Sequence, residues 1–319
     1  MFRWAVCGLG KISRRWVRAA NAIEGMRVTA CVSSSKERAE VYKIKYGMDH
    51  ALTYEELAAN PSLVDAVYVC TNMNAHRKTA EMFLRAGIPV LCEKSFALNA
   101  AEARSIIECA KEHKTTLMEA MWCRFLPATR KVDEMMKKGV YGKIKHIAAD
   151  FKAGWAHGPK SRVWRHDTGG GSVLDLAVYC ATYAHMLLGK PLSVRAAGKI
   201  KNGVDKCCDF TFEYPGGVKA DLHSSFQFPI IKEACRIECE KGVVVAPSFY
   251  RAKRIIEKPL GGKKKVTRFE RIDGFTYEIK HFADLVARKE LESDIMPLSA
   301  TLEVMELLDE INRQIGVVF

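Results

Sequence analysis

A chain of 319 residues with 48% hydrophobic and 27% charged content can bury a sizeable core and is long enough for two domains. No apolar run approaches a membrane span and "MFRWAVCGLG" lacks the features of a secretion signal, so a cytoplasmic protein with no membrane partner is expected. The formal net charge of +13 raises the question of nucleic acid, but the lysines and arginines are scattered and no nucleic-acid motif accompanies them; anionic small molecules, a phosphorylated cofactor among them, suit this charge better.

The first strand-like run, "RWAVCGL" (3–9), leads into Gly8-Leu9-Gly10-Lys11-Ile12-Ser13 and then a helical stretch. In a dinucleotide-binding turn the first glycine permits the tight bend and the second lets the backbone approach a pyrophosphate seated at the positive end of the helix. Gly8, Gly10, Lys11 and Ile12 are therefore candidate cofactor-binding residues, with Ser13 at the third glycine position. An ordinary strand-helix turn is the competing reading.

The second run, "RVTACVS" (27–33), continues into Ser34, Ser35 and Lys36, with Arg38 close behind and no acid before Glu37. An acid there selects NAD by binding the ribose, whereas small polar and basic groups accommodate the 2'-phosphate of NADP. Ser33, Ser34 and Arg38 thus favour NADP, with NAD as the alternative. "SSSKER" also reads as a helix N-cap, and the two readings are compatible.

Further apolar runs at "DAVYVCT" (65–71), "PVLCEK" (89–94) and "TTLMEAM" (115–121) alternate with helical stretches, as a parallel sheet covered on both faces requires. Residues 1–121 read as a doubly wound α/β Rossmann domain. The acid and amine at Glu93 and Lys94 fall where a buried strand leaves that sheet; simple solvation is the bland explanation, and the ligand-binding end of the sheet is the alternative.

After about Trp122 the pattern changes to longer alternating segments at 143–153, 193–201, 206–226 and 234–246. Pro215-Gly216-Gly217 sits between two period-two runs, a hairpin signal, and "GGKKK" (261–265) reads as a solvated hairpin loop. Residues 122–319 are expected to form an α+β domain with a mostly antiparallel or mixed sheet. Helices are expected at about 172–188, 276–289 and 298–314, the last packing back on the first domain. Of the eleven cysteines, Cys7, Cys31, Cys70 and Cys92 sit in apolar strand-like runs, and the set reads as reduced packing residues; neither Cys207-Cys208 nor the Cys235/Cys239 pair has nearby histidines at zinc spacing, so no metal is expected.

"CGLGKIS" (7–13), "CTNMNAH" (70–76), "EKSFALNAAEA" (93–103), "LMEAMWCRFLPA" (117–128) and "GGGSVLDLAVY" (169–179) together resemble the glucose-fructose oxidoreductase and inositol dehydrogenase (Gfo/Idh/MocA) family. The last three segments are most similar to its dimeric dihydrodiol dehydrogenase branch. The resemblance implies a large open-faced sheet in the second domain, a homodimer or higher homo-oligomer through that sheet, and oxidoreduction of a polyol, sugar or cyclic diol. It also places the substrate-polarising lysine of the family's EKP motif on Lys94, and a helix-borne acid and phenol on Asp175 and Tyr179. Thr71, Asn72, His76 and Glu93 then fall in loops lining the nicotinamide. Two departures stand out: Ser95 replaces the proline of EKP and Asn72 that of a TPN-type loop. A non-proline cis bond is costly, so the Lys94–Ser95 peptide is expected to be trans and slightly re-aimed.

Carbonyl reduction needs a hydride and a proton for the developing alkoxide, and alcohol oxidation reverses both. Lys94 is expected to polarise the oxygen, Tyr179 to act as general acid beside its charge, and Asp175 to orient the lysine or hold a substrate hydroxyl. Asp175 and Tyr179 lie one turn apart on one helix. Ser172-x-x-Asp175 also matches a capping box, and Tyr179 also fits a core aromatic position. Trp164 and His166, in the polar loop Arg162–Asp167, are expected to flank the substrate. Two other functions remain open: an NAD-dependent inositol-type dehydrogenase, and a regulator of the same fold that binds NAD(P) without turnover.

Overall fold

The computed structural model describes residues 1–153, 158, 161–226, 232–270 and 272–319. It divides into two compact units, Met1–Trp122 with Asp273–Leu302, and Cys123–Ile272 with Glu303–Phe319.

The first unit begins with strands β1 (Phe2–Cys7), β2 (Met26–Val32), β3 (His50–Leu52), β4 (Ala66–Val69), β5 (Val90–Glu93) and β6 (Leu117–Ala120). They form one sheet in the order β3-β2-β1-β4-β5-β6, and every pairing is parallel. Helices α1 (Lys11–Asn21), α2 (Lys36–Tyr46), α3 (Tyr54–Ala58), α4 (His76–Arg85) and α5 (Ala100–Glu112) connect the strands. Strand order reverses between β1 and β4, so their carboxyl ends open the crevice where such sheets bind ligands. The strands are apolar throughout because both faces are covered: β4 and β5 are buried along their whole length. Trp4 meets Trp16 edge-on with centroids 5.0 Å apart, and Trp16 stacks on Tyr68 at 4.1 Å, tying α1 to the sheet. Ser35 caps α2 by accepting the Arg38 N–H at 3.3 Å, as "SSSKER" suggested.

The second unit holds α6 (Pro127–Lys137), β7 (Ile144–Lys152), a π-helical turn at Val173–Ala177 running into α7 (Val178–Leu188), and strands β8 (Ser193–Lys201), β9 (Val204–Glu213), β10 (Lys219–Ser225), β11 (Lys232–Cys239), β12 (Gly242–Pro247), β13 (Arg254–Pro259) and β14 (Lys265–Arg268). Eight strands pair in the order β14-β13-β12-β11-β7-β10-β9-β8, antiparallel except for β7 with β10. The sheet is therefore mixed but mostly antiparallel. Pro215–Gly217 turns the β9–β10 hairpin, and the lysine-rich loop joins β13 to β14. Alternating burial along β7, β9 and β10 shows one covered and one open face. Residues 166–188 are long and apolar enough to cross a membrane by composition, but 83% of that apolar window is buried inside the protein. Helix α6 was not anticipated, although Pro127 at its first turn is a helix-start signal. Helix α8 (Phe275–Arg288) returns to the first unit, and α9 (Leu298–Ile315) closes the chain.

Candidate active site

The first candidate region lies at the carboxyl ends of β1 and β4. Gly8 has φ +103°, and a Cβ there would stand 2.5 Å from the carbonyl carbon of Cys70, so only glycine fits. Gly10 differs: its φ is −87°, and a Cβ would meet nothing within 4 Å. Gly10 is the N-cap of α1, whose first N–H groups lack intrahelical partners and carry the positive end of the helix dipole. Ser13, at the third glycine position, is fully buried; its hydroxyl donates to the Gly10 carbonyl at 2.8 Å and lies 3.0 Å from the Tyr42 hydroxyl, bracing α1 against α2.

A cavity of about 260 Å³ opens here. Gly8, Gly10, Ser33, Ser34, Arg38, Thr71 and Asn72 line it, as do Tyr54 and Asn74, which the sequence did not single out. Lys11 and Ile12 are exposed on the first turn of α1. The Thr71 hydroxyl is buried without a hydrogen-bond partner among the described residues. An open space at Gly10, a helix N-terminus and an unpartnered hydroxyl in one crevice fit a dinucleotide. A neighbouring cavity of about 370 Å³ shares Leu9 and Arg38 and adds Arg14, Lys45 and Tyr46. Arg14 and Arg38 form no ion pair among the described residues, whereas Lys36 is bonded to Glu56. Glu37 also faces this cavity; its bond to the Ser35 hydroxyl, 2.7 Å long, holds its carboxyl below the usual range.

Lys94 follows the carboxyl end of β5 and is half-buried. Glu93 beside it is buried; one carboxyl oxygen accepts the Tyr68 phenol and the other accepts the Lys94 backbone N–H at 3.1 Å. The Lys94–Ser95 peptide is cis, contrary to the trans bond expected without proline. The preference of a free peptide does not decide the conformation of a turn this enclosed: Ser95 and Phe96 are fully buried, and their carbonyls lie 3.1 and 3.3 Å from His76 Nδ1. His76 Nε2 lies 3.2 Å from the Thr71 carbonyl, so this buried ring joins the two loops that follow β4 and β5. It supports the crevice through backbone carbonyls and does not line the cavity.

In the second unit, Asp175 lies in the π-helical turn and Tyr179 in the first turn of α7. Single π turns inside helices recur at functional sites. Asp175 is buried and accepts a hydrogen bond of 2.8 Å from Arg162 Nη2, a partner no local spacing could reveal. The capping box is not formed: Ser172 makes no cap bond and instead donates to Asp205, which also accepts the Val173 N–H at 3.1 Å. Asp205 from β9 takes the capping role because it reaches the helix start from the sheet, leaving Asp175 to Arg162. Tyr179 packs against Phe151, at 5.3 Å, and Tyr250, at 5.6 Å, which stack on each other at 4.4 Å. Trp164 sets its edge against Phe226 at 5.2 Å. His166 turns elsewhere: its Nε2 lies 2.7 Å from the Val318 carbonyl, and its ring stacks on Phe319 at 4.7 Å.

Residues 2–121 match an oxidoreductase family with an NAD-binding Rossmann fold, and residues 129–245 match the GFO/IDH/MocA C-terminal domain. The chain belongs to the Gfo/Idh/MocA oxidoreductase family. It is an NAD(P)-dependent oxidoreductase acting on CH–OH groups. Trans-1,2-dihydrobenzene-1,2-diol dehydrogenase from Mus musculus is 30% identical over 332 residues, covering 99% of this chain and 98% of that protein. A 3-ketoreductase from Actinomadura kijaniata, solved with NADP and TDP-benzene, superposes with a TM-score of 0.87 at 24% identity, covering 98% of each chain. A levoglucosan dehydrogenase solved with NADH and levoglucosan superposes with a TM-score of 0.89 at 15% identity, covering 99% of this chain and 97% of that one. These two structures share the fold.

Proposed function

We propose that this protein is an NADP-dependent dehydrogenase or reductase of a polyol, sugar or cyclic diol. The observation that carries this reading is the placement of Lys94, an amine at the carboxyl end of β5 in the sheet whose crevice holds Gly8, Gly10 and Thr71. The diol dehydrogenase relative, similar over nearly its whole length, supports the substrate class. Gly8, Gly10 and the first turn of α1, with Lys11 and Ile12, hold the pyrophosphate; Ser33, Ser34 and Arg38 take the adenosine ribose and its phosphate. Thr71, Asn72 and the turn at Glu93 and Lys94 serve the nicotinamide half, with His76 bracing both loops.

A nicotinamide held there would supply or accept the hydride. Lys94 polarises the substrate oxygen by charge and hydrogen bonding. Tyr179 gives a proton to the developing alkoxide, or takes it in the reverse direction. Asp175, aligned by Arg162, holds a substrate hydroxyl, and Trp164 flanks the substrate. Titration with NADPH and NADH by fluorescence, followed by a panel of diols, sugars and polyols, tests the reading. Tighter NADPH binding with turnover of at least one of them supports it, and NADPH binding without turnover favours the regulator alternative. NADH binding more tightly returns the assignment to an NAD enzyme.

We also propose a homodimer formed through the open face of the eight-stranded sheet. That face carries polar pairs, His146 Nε2 with Asp221 at 2.9 Å and His223 Nδ1 with Asp209 at 2.6 Å, on neighbouring strands. Light scattering at micromolar concentration checks this, a monomeric mass being the contrary result.

A further inference from the structure

Arg38, Val41, Tyr42 and Lys45 stand at i, i+3, i+4 and i+7 on α2, the spacing of a single helix face, and all four line the cavity of about 370 Å³. Leu9 of the glycine turn and Arg14 in the first turn of α1 line it too. Its walls are fixed relative to each other, because the buried Ser13 and Tyr42 hydroxyls lie 3.0 Å apart. Arg14 follows Ser13 directly and Arg38 stands one turn before Tyr42, so the two arginines flank one brace between α1 and α2.

The cations next to them in sequence are already engaged. Arg15 makes two hydrogen bonds to Asp273, at 2.9 and 3.0 Å, and lies 4.7 Å from the centroid of the Phe275 ring, while Lys36 is bonded to Glu56. The side chains of Arg14 and Arg38 are exposed and have no ion-pair partner among the described residues. With Lys45 they place three cations on the cavity against one carboxylate, Glu37, which already accepts the Ser35 hydroxyl at 2.7 Å. Cations facing one space repel each other and favour an anion between them, and the planar fork of arginine matches the oxygens of a phosphate. The place of that anion follows from the lining. Leu9 and Arg38 also border the crevice that holds Ser33 and Ser34 at the end of β2, the position assigned above to the adenosine ribose.

We propose that Arg14 is a specificity-determining residue for the cofactor: from α1 it meets Arg38 of α2 across the cavity, and the two arginines grip the 2'-phosphate of NADP from opposite sides. The inference rests on the NADP reading and adds to it a residue that lies outside the β2 end. Selectivity then comes from the pairing of two helices, held by Ser13 and Tyr42, and not from the serines and Arg38 alone. A ribose with a free 2'-hydroxyl gains nothing from Arg14, so the residue separates the two cofactors without strengthening both.

The test is calorimetric titration of the full chain with adenosine 2',5'-bisphosphate and with adenosine 5'-monophosphate, which differ only in the 2'-phosphate. Arg14→Gln is expected to weaken the bisphosphate by about 5- to 50-fold, in line with loss of a charge-assisted bond at an exposed site, and the monophosphate by less than about twofold. Arg18→Gln, one turn further along α1 and outside the cavity, removes the same charge and is expected to cost less than about twofold for either nucleotide. Arg14→Lys keeps the charge without the fork and falls between wild type and Arg14→Gln. Thermal unfolding of each variant checks that it is folded. A bisphosphate loss in Arg14→Gln no larger than that in Arg18→Gln, or equal losses for the two nucleotides, overturns the proposal. Wild-type protein that binds the bisphosphate no more tightly than the monophosphate defeats the NADP reading and this inference together. A wild-type preference that Arg38→Ala removes and Arg14→Gln leaves intact defeats this inference alone.

Discussion

Gly8 and Cys70 meet backbone to backbone, with 2.5 Å between the carbonyl carbon of Cys70 and the position a Cβ on Gly8 would take. Gly10, two residues on, faces open space. The two glycines therefore answer differently to the same substitution. Gly8→Ala is expected to destabilise the fold by about 3 kcal/mol or more, from the clash and the positive φ together. Gly10→Ala is expected to leave stability within about 1 kcal/mol of wild type but to weaken NADPH binding at least about tenfold, since its methyl stands where the pyrophosphate is proposed to lie. Denaturant unfolding and fluorescence titration of both variants check the contrast.

Arg38 borders both cavities beside β2, with Arg14 across the larger one. An arginine reading the 2'-phosphate contributes only when that phosphate is present. Arg38→Ala is expected to weaken NADPH binding by about 10- to 100-fold, in line with loss of a charge-assisted bond, and to change NADH binding less than threefold. Equal losses for both cofactors would remove Arg38 from the phosphate site.

His185 in α7 lies with Nε2 2.6 Å from Glu303 in α9. Burial depresses its proton affinity more than Glu303 restores it, so its folded value lies below the ordinary 6.5. The unfolded chain then takes up a proton first as pH falls. Stability linked to this group is present above pH 6.5 and is lost as pH drops from there through the folded value. Thermal unfolding at pH 8 and pH 5.5 should show a smaller acid-side loss in His185→Gln than in wild type. An identical loss in both proteins would assign the acid sensitivity to other groups.

The first unit was legible because its signals are local: apolar runs of four to seven residues, a glycine turn after the first of them, and a serine cap before α2. The strand His50–Leu52 escaped notice because three residues carry no periodicity. The β9–β10 hairpin announced itself through Pro215–Gly217, but the parallel pairing of β7 with β10 joins segments with no common local signal. The ordered motifs picked out Lys94, Asp175 and Tyr179 as candidates. Their supports did not show: Arg162 on Asp175, Asp205 capping the helix start, and Tyr68 behind Glu93 are contacts between distant segments, which neither spacing nor propensity encodes. The Lys94–Ser95 peptide defied a rule for free peptides because buried neighbours enclose that turn.

The central claim is that the amine of Lys94 takes part in the redox step itself. Single-turnover oxidation by Lys94→Met of whichever diol, sugar or polyol in the panel the wild type turns over, with NADPH affinity measured on the same preparation, tests it most directly. The account predicts a rate lower by at least about a thousandfold, as expected when a polarising and proton-transferring group is lost, with the cofactor bound within about threefold of wild type. A rate within tenfold of wild type at unchanged cofactor affinity would contradict it.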